Sequence, residues 1–335
     1  MPNPLYDRLF GTHAGRTDPF LILRDGTAVS YADFLAQAAQ FAHVLDRSGL
    51  SPGDRLAVQA EKSPEALALV AACAQAGVIV LPLNTAYTPD ELSYFVENSG
   101  AAMVVCDPSR EHDVRPIAER CSARLETLDA RGRGSLAERA RAMPEIFDTV
   151  PRSGDDLAAF LYTSGTTGRS KGAMLTQDNL LSNAETLVDY WRFTRDDVLL
   201  HALPIFHTHG LFVATNVIAL AGGSMIFLPK FDIDAIIDLM PQATSMMGVP
   251  TFYTRLLDDA RFTRRLAAHM RLFVSGSAPL LAETHERFEA RTGHRILERY
   301  GMTETNMITS NPYEGERRPG TVGRPLPGVE TRICD

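Results

Sequence analysis

Short runs rich in Val, Ile and Leu alternate along this chain with longer segments whose apolar residues recur at helical spacing, and that alternation restricts the fold to one class. Strands joined by helical crossovers pair in parallel, so such a chain builds a sheet with helices on its faces. Ser30 and Asp33 resemble a capping box ahead of Phe34, Ala38, Phe41 and Leu45, which mark one helix face before a strand at 56–60. A helix starts at Ser63 with Pro64, a strand follows at 78–81, a helix runs from Thr88 to Gly100, and a strand occupies 103–106. Residues 66–83 carry no charge and reach the length of a membrane span. Gln75, Gly77 and Pro82 interrupt them, however, which predicts a buried helix, a glycine stop and a buried strand, with no membrane partner.

A stretch at 131–156 richer in Arg, Gly, Pro and Asp marks an expected boundary. Beyond it a second series predicts strands at 158–163, 198–202, 224–228, 245–249 and 272–275 and a helix at 177–190. From residue 313 Gly and Pro become frequent and the alternation stops. The expected division is therefore 1–150, a first β/α subdomain; 151–312, a second; and 313–335, the start of a β-rich element. With 335 residues, two compact units are affordable at about 150 residues each. The 33 basic and 41 acidic side chains give a formal charge of -8, with no basic run suited to a phosphate backbone, so nucleic acid is not an expected partner. Cys73, Cys106, Cys121 and Cys334 lie far apart without zinc spacing, and the first twenty residues hold no apolar core. A reducing, cytoplasmic setting is expected.

The segment most suited to chemistry is Tyr162-Thr163-Ser164-Gly165-Thr166-Thr167-Gly168-Arg169-Ser170-Lys171-Gly172, directly after a predicted strand. Glycines let backbone N–H groups converge on an anion, hydroxyls add donors, and Lys171 supplies a compact positive charge, so the segment suits phosphate. It is not a Walker loop, because Lys171 lies between Ser170 and Gly172. Gly132-Arg133-Gly134 with Ala137 fits a permissive dinucleotide pattern, but its place in the boundary region reads as a surface turn.

The 162–172 segment resembles the phosphate-binding motif of the adenylate-forming superfamily, which includes acyl-CoA synthetases, luciferases and peptide-synthetase adenylation domains. Three more segments are similar to that family in the same order: Leu203-Pro204-Ile205-Phe206-His207, Tyr300-Gly301-Met302-Thr303-Glu304, and Arg318-Pro319-Gly320-Thr321-Val322-Gly323-Arg324-Pro325. The resemblance implies two doubly wound β/α subdomains packed together. It also implies attack of a substrate carboxylate on the α-phosphorus of ATP, release of pyrophosphate, and displacement of AMP by the thiol of coenzyme A. By the same resemblance Thr163, Ser164, Gly165, Thr166, Thr167, Gly168 and Lys171 hold the β- and γ-phosphates, Thr303 meets the α-phosphate, and Glu304 with Thr163 takes Mg²⁺. Tyr300 stacks on adenine beside Ser277, Ala278 and Pro279, with Glu298, Gly301 and Met302 in the same nucleotide site.

Two features bear on the acid. Arg299 precedes Tyr300, and His207-Thr208-His209 places two imidazoles in the acyl-pocket motif. Basic groups there suit a second carboxylate, which a guanidinium grips bidentately. The set around Glu298-Arg299-Tyr300 resembles the malonyl-CoA synthetase family, which implies malonate, with Arg299, Ser277, His207, His209 and Met302 around it. A surface ion pair is the other reading of Arg299, a core imidazole that of His209, and plain packing that of Tyr162, Phe206 and Tyr253. Family members continue past the point where this chain stops. The resemblance thus implies an N-terminal portion, partnered elsewhere by a small C-terminal domain with a catalytic Lys, and impaired in full turnover without it. A ligase for another short acid such as methylmalonate, and a noncatalytic ATP-binding fragment, are the alternatives.

Overall fold

The computed structural model describes residues 3–163 and 169–334. Its chain divides into two compact units: unit 1 comprises 1–18, 29–181 and 205–207, and unit 2 comprises 19–28, 182–204 and 208–335.

Unit 1 is built on a sheet in the order Arg124–Thr127, Met103–Cys106, Arg55–Gln59, Ile79–Pro82, Leu157–Thr163, Lys171–Thr176. All neighbours run parallel except the last pair, an antiparallel ribbon. The charge-free stretch resolves as expected into the helix Pro64–Ala76, capped by the Ser63 side chain, and the strand Ile79–Pro82. Gly77 between them takes φ +71°, a left-handed turn that glycine adopts without steric cost. Phe34, Ala38, Phe41 and Leu45 are fully buried on the helix Tyr31–Arg47, whose Ser30 hydroxyl accepts from the Asp33 N–H. The reciprocal capping box forms instead at Thr88 and Glu91. Asp129 closes the turn at 132–134 by accepting from the Arg131 and Arg133 N–H groups, as suits a surface turn.

Unit 2 holds the larger sheet, in the order Arg324–Pro325, Asn306–Ser310, Leu297–Met302, Leu272–Ser275, Ser245–Gly248, Val198–His201, Ser224–Phe227, Pro19–Ile22. Pairing is parallel from Leu297–Met302 through Pro19–Ile22 and antiparallel at the other edge. From Val198–His201 the chain adds Ser224–Phe227 on one side and Ser245–Gly248 on the other, so the strand order reverses there. Open sheets of this kind place ligands beyond the carboxyl ends of their strands at that reversal. The core is apolar and aromatic, with Tyr253, Phe262, Phe273 and Phe288 fully buried in one cluster.

The α/β class is as the sequence indicates, but the units do not divide at 150/151. Leu157–Thr163 joins the first sheet beside Ile79–Pro82, which carries unit 1 through Leu181. The expected β-rich element from 313 appears among the described residues only as the two-residue strand Arg324–Pro325, paired with Asn306–Ser310 inside unit 2.

Candidate active site

In unit 1 the strand Leu157–Thr163 and the strand Lys171–Thr176 form the two sides of a hairpin with Thr163 opposite Lys171. Thr163 and exposed Lys171 therefore flank the intervening loop. Ser164, Gly165, Thr166, Thr167 and Gly168 lie outside the described residues. An aromatic cluster anchors the hairpin: the Tyr162 ring packs 4.3 Å from Phe95 and its hydroxyl donates to Asn98 Oδ1 at 2.7 Å. Tyr162 is thus a packing residue. Tyr94 donates to the Ser170 carbonyl at 2.9 Å, and the Arg169 guanidinium lies over the Tyr94 ring. Gly172, opposite Tyr162, leaves room for Phe160, since a Cβ there would lie 2.0 Å from that ring. His207 is exposed, with the Phe206 ring 4.6 Å from its own.

Unit 2 gathers most of the remaining predicted residues at the carboxyl edge of its sheet. Ser275 pairs with Glu298, so parallel register brings the turn Gly276-Ser277-Ala278-Pro279 beside Arg299. The Arg299 side chain packs against Gly276 closely enough that a Cβ on that glycine would sit 2.4 Å from Cζ. Arg299 is 3% exposed, its Nε and Nη2 have no hydrogen-bond partner, and no ion pair to it occurs among the described residues. Burial pushes its guanidinium down to about 10, which still leaves it charged at neutral pH. The surface ion-pair reading of Arg299 is thereby set aside.

His209 is buried at the start of a π-helix, His209–Thr215. Its Nδ1 is 3.1 Å from Ser277 Oγ, and its Nε2 is unpartnered. Burial first, then the charge of Arg299 and the nearness of His201, hold the His209 imidazole well below its usual range, so it is neutral at pH 7. Ser277 takes φ +71°, a left-handed conformation uncommon for a residue with a side chain, and that turn aims its hydroxyl at His209. Buried Tyr253 donates to the Val274 carbonyl at 2.5 Å, a packing role.

Glu298 is buried, with Oε1 accepting from the Leu280 N–H at 2.9 Å and Oε2 unpartnered. It anchors the end of the Ser277–Pro279 turn, and burial raises its carboxyl above the usual range. After Arg299 the strand bulges between Tyr300 and Gly301 and turns at 303–305, presenting Tyr300 (45% exposed), Met302 (43%) and the exposed Glu304 outward, with Thr303 half-buried beside it. Ala278 and Pro279 are likewise exposed. His201, the last residue of a buried apolar strand, escaped the sequence reading, although a His closing the run Val-Leu-Leu is an available signal. No cluster of three or more metal-binding side chains occurs among the described residues, and none of their helices is long and apolar enough to cross a membrane.

A family model described as "AMP-binding enzyme" matches residues 12–335. A malonate–CoA ligase of Mus musculus, described as mitochondrial, is 38% identical over 275 residues, covering 77% of this chain and 46% of its own length. The crystal structure of ATP-bound MatB from Rhodopseudomonas palustris is similar at 58% identity and a TM-score of 0.98, over 100% of this chain and 67% of that one. A malonyl-CoA ligase solved as a ternary product complex with methylmalonyl-CoA and AMP is 35% identical with a TM-score of 0.80, over 97% of this chain and 67% of that one. The chain spans about half the length of the curated relatives it matches.

Proposed function

Because the chain belongs to the AMP-binding enzyme family, we propose that the protein it represents activates malonate with ATP and passes the malonyl group to coenzyme A. One carboxylate oxygen attacks the α-phosphorus, pyrophosphate leaves with the electrons of the broken P–O bond, and the coenzyme A thiolate then displaces AMP from the acyl carbon. The observation that carries the choice of acid is Arg299, buried and charged with two unpartnered nitrogens beside His209 and Ser277. Leaving a guanidinium desolvated and unpaired is costly, and a carboxylate in that space removes the cost. Arg299, His209 and Ser277 are assigned to the distal carboxylate, and His207 and Met302 to the rest of the acid.

The hairpin loop, with Thr163 and Lys171 at its base, is assigned to the β- and γ-phosphates, Thr303 to the α-phosphate, and exposed Tyr300 with the Ser277-Ala278-Pro279 turn to adenine. Glu298 acts on that nucleotide turn through the Leu280 N–H. Mg²⁺ takes oxygen donors, commonly one or two carboxylates with phosphate and water completing its shell, and exposed Glu304 fits as such a carboxylate, with the Thr163 hydroxyl a second assigned donor. Bound there, the ion neutralises phosphate charge. A small C-terminal domain with a catalytic Lys is the assigned partner that completes turnover. The cysteines are free thiols, which suits the proposed cytoplasmic location.

The thermal shift from malonate, propionate and octanoate with Mg²⁺ and ATP tests this reading, because a ligand of the native state alone raises Tm. Malonate is expected to raise Tm and the monocarboxylates are not; an equal shift with propionate or octanoate sinks the assignment. Methylmalonate is the second reading, favoured by the 35%-identical ligase solved with methylmalonyl-CoA, and a larger shift with it than with malonate moves the assignment there. A shift with ATP that no acid alters indicates a noncatalytic nucleotide-binding protein.

A further inference from the structure

We propose that His201, acting with Thr215, is a positioning residue for the acid pocket, holding the Gly210 carbonyl so that the adjacent His209 meets Ser277. His201 Nε2 lies 2.9 Å from the Gly210 carbonyl oxygen, and Thr215 Oγ1 donates to the same oxygen at 3.0 Å. A carbonyl oxygen only accepts, so Nε2 carries the hydrogen, and the Thr215 oxygen 3.3 Å away shares it. His201 can serve as a fixed point because its backbone lies in the middle of the sheet, paired with Phe227 on one side and Met247 on the other. Its ring also sits edge-on to Phe227 with centroids 5.5 Å apart.

The clamp acts where the chain has little freedom. A Cβ on Gly210 would come within 1.9 Å of the Pro204 carbonyl oxygen, so the glycine backbone is packed directly against the loop that leaves the central strand. Gly210 lies within the π-helix His209–Thr215, a rare i→i+5 geometry found mostly as single turns, and the two side-chain donors add to the bonding of its carbonyl. His209 is one residue from that carbonyl, and a misplacement of about 1 Å in a site group can cost on the order of a hundredfold in rate. The inference rests on the reading that His209 and Arg299 receive the distal carboxylate.

His201→Phe removes the donor but keeps a ring against Phe227, and His201→Gln returns an amide N–H near the position of Nε2. In the intact protein, the apparent Kd of malonate should weaken about tenfold in His201→Phe while that of ATP changes less than about twofold, and His201→Gln should recover most of the loss. Thr215→Val should weaken malonate several-fold in the same direction, and it carries the test if His201→Phe does not fold. Unchanged malonate binding in these variants, or equal weakening of malonate and ATP, overturns the proposal. The ring-nitrogen NMR signals of His209 keep the two readings separate. If the parent protein shows no preference for malonate over propionate, the functional reading fails; the clamp then stands if those signals move in Thr215→Val and falls if they do not.

Discussion

The Arg299 guanidinium lies against Gly276 so closely that the glycine has no room for a side chain: a Cβ there would sit 2.4 Å from Cζ. Arg299→Ala removes a buried, unpaired cation, so the unliganded protein should lose little stability. Malonate affinity should fall about ten- to hundredfold, since charge-assisted hydrogen bonds contribute roughly 1.5–3 kcal/mol. Titration calorimetry with malonate and propionate checks both, and malonate affinity within about twofold of the parent would remove Arg299 from the acid site.

Gly276→Ala should weaken malonate through the same contact, because the new methyl must displace the guanidinium. In the Arg299→Ala background the substitution has nothing to displace, so its effect on malonate binding and on the urea midpoint should largely vanish. A double-mutant cycle measures this coupling directly, and additive effects would show that Gly276 matters for another reason.

Acid should destabilise the protein through His209. In the folded state its imidazole is held far below the ordinary 6.5, whereas in the unfolded chain it titrates normally. Below about pH 6.5 the unfolded state therefore binds more protons and stability falls, by up to about 1.4 kcal/mol per pH unit from this one group. Urea midpoints between pH 5 and 7.5 should show a shallower slope in His209→Asn. The slope should not vanish, because burial also lowers His285 and His294. An identical slope in the variant would mean that His209 protonates as easily folded as unfolded.

Unit 2 should depend on one buried ion pair away from Arg299 and His209. Asp197, 4% exposed at its side chain, accepts from Arg271 Nε at 2.6 Å and Nη2 at 2.8 Å, from Thr244 Oγ1 at 2.7 Å and from the Thr194 N–H at 2.8 Å. Asp197→Ala leaves the Arg271 charge without its carboxylate and should cost about 3–5 kcal/mol, read as a lower urea midpoint with unchanged slope. A loss under about 1 kcal/mol would show that the Phe193 and Tyr313 rings, 4.5 Å and 5.4 Å from the Arg271 Cζ, hold that charge on their own.

Strands with strongly apolar stretches were readable along the chain. Met103–Cys106 and Leu272–Ser275 fall at the expected residues, and the helix Gln177–Tyr190 does as well. Arg124–Thr127 and Lys171–Thr176 were not anticipated, because edge strands carry polar residues on their open side and lack the continuous apolar signature, and Asn306–Ser310 was missed because Asn306, Thr309 and Ser310 break up its apolar residues. The omission of Lys171–Thr176 matters most, since that strand sets Lys171 opposite Thr163 in an antiparallel ribbon.

Chemistry carried by residue type was legible from the sequence alone: a hydroxyl- and glycine-rich loop ending in Lys171, a cation at Arg299, imidazoles at His207 and His209, and the alternation that makes the class α/β. These are properties of neighbours along the chain. That Gly276 makes room for Arg299, that Ser277 turns its hydroxyl to His209, and that His201 holds Gly210 depend on strand register and on backbone angles that tertiary packing imposes. Parallel pairing brings residue 275 beside 298 across an intervening helix, and such a distance is set only when both strands have chosen their place in the sheet.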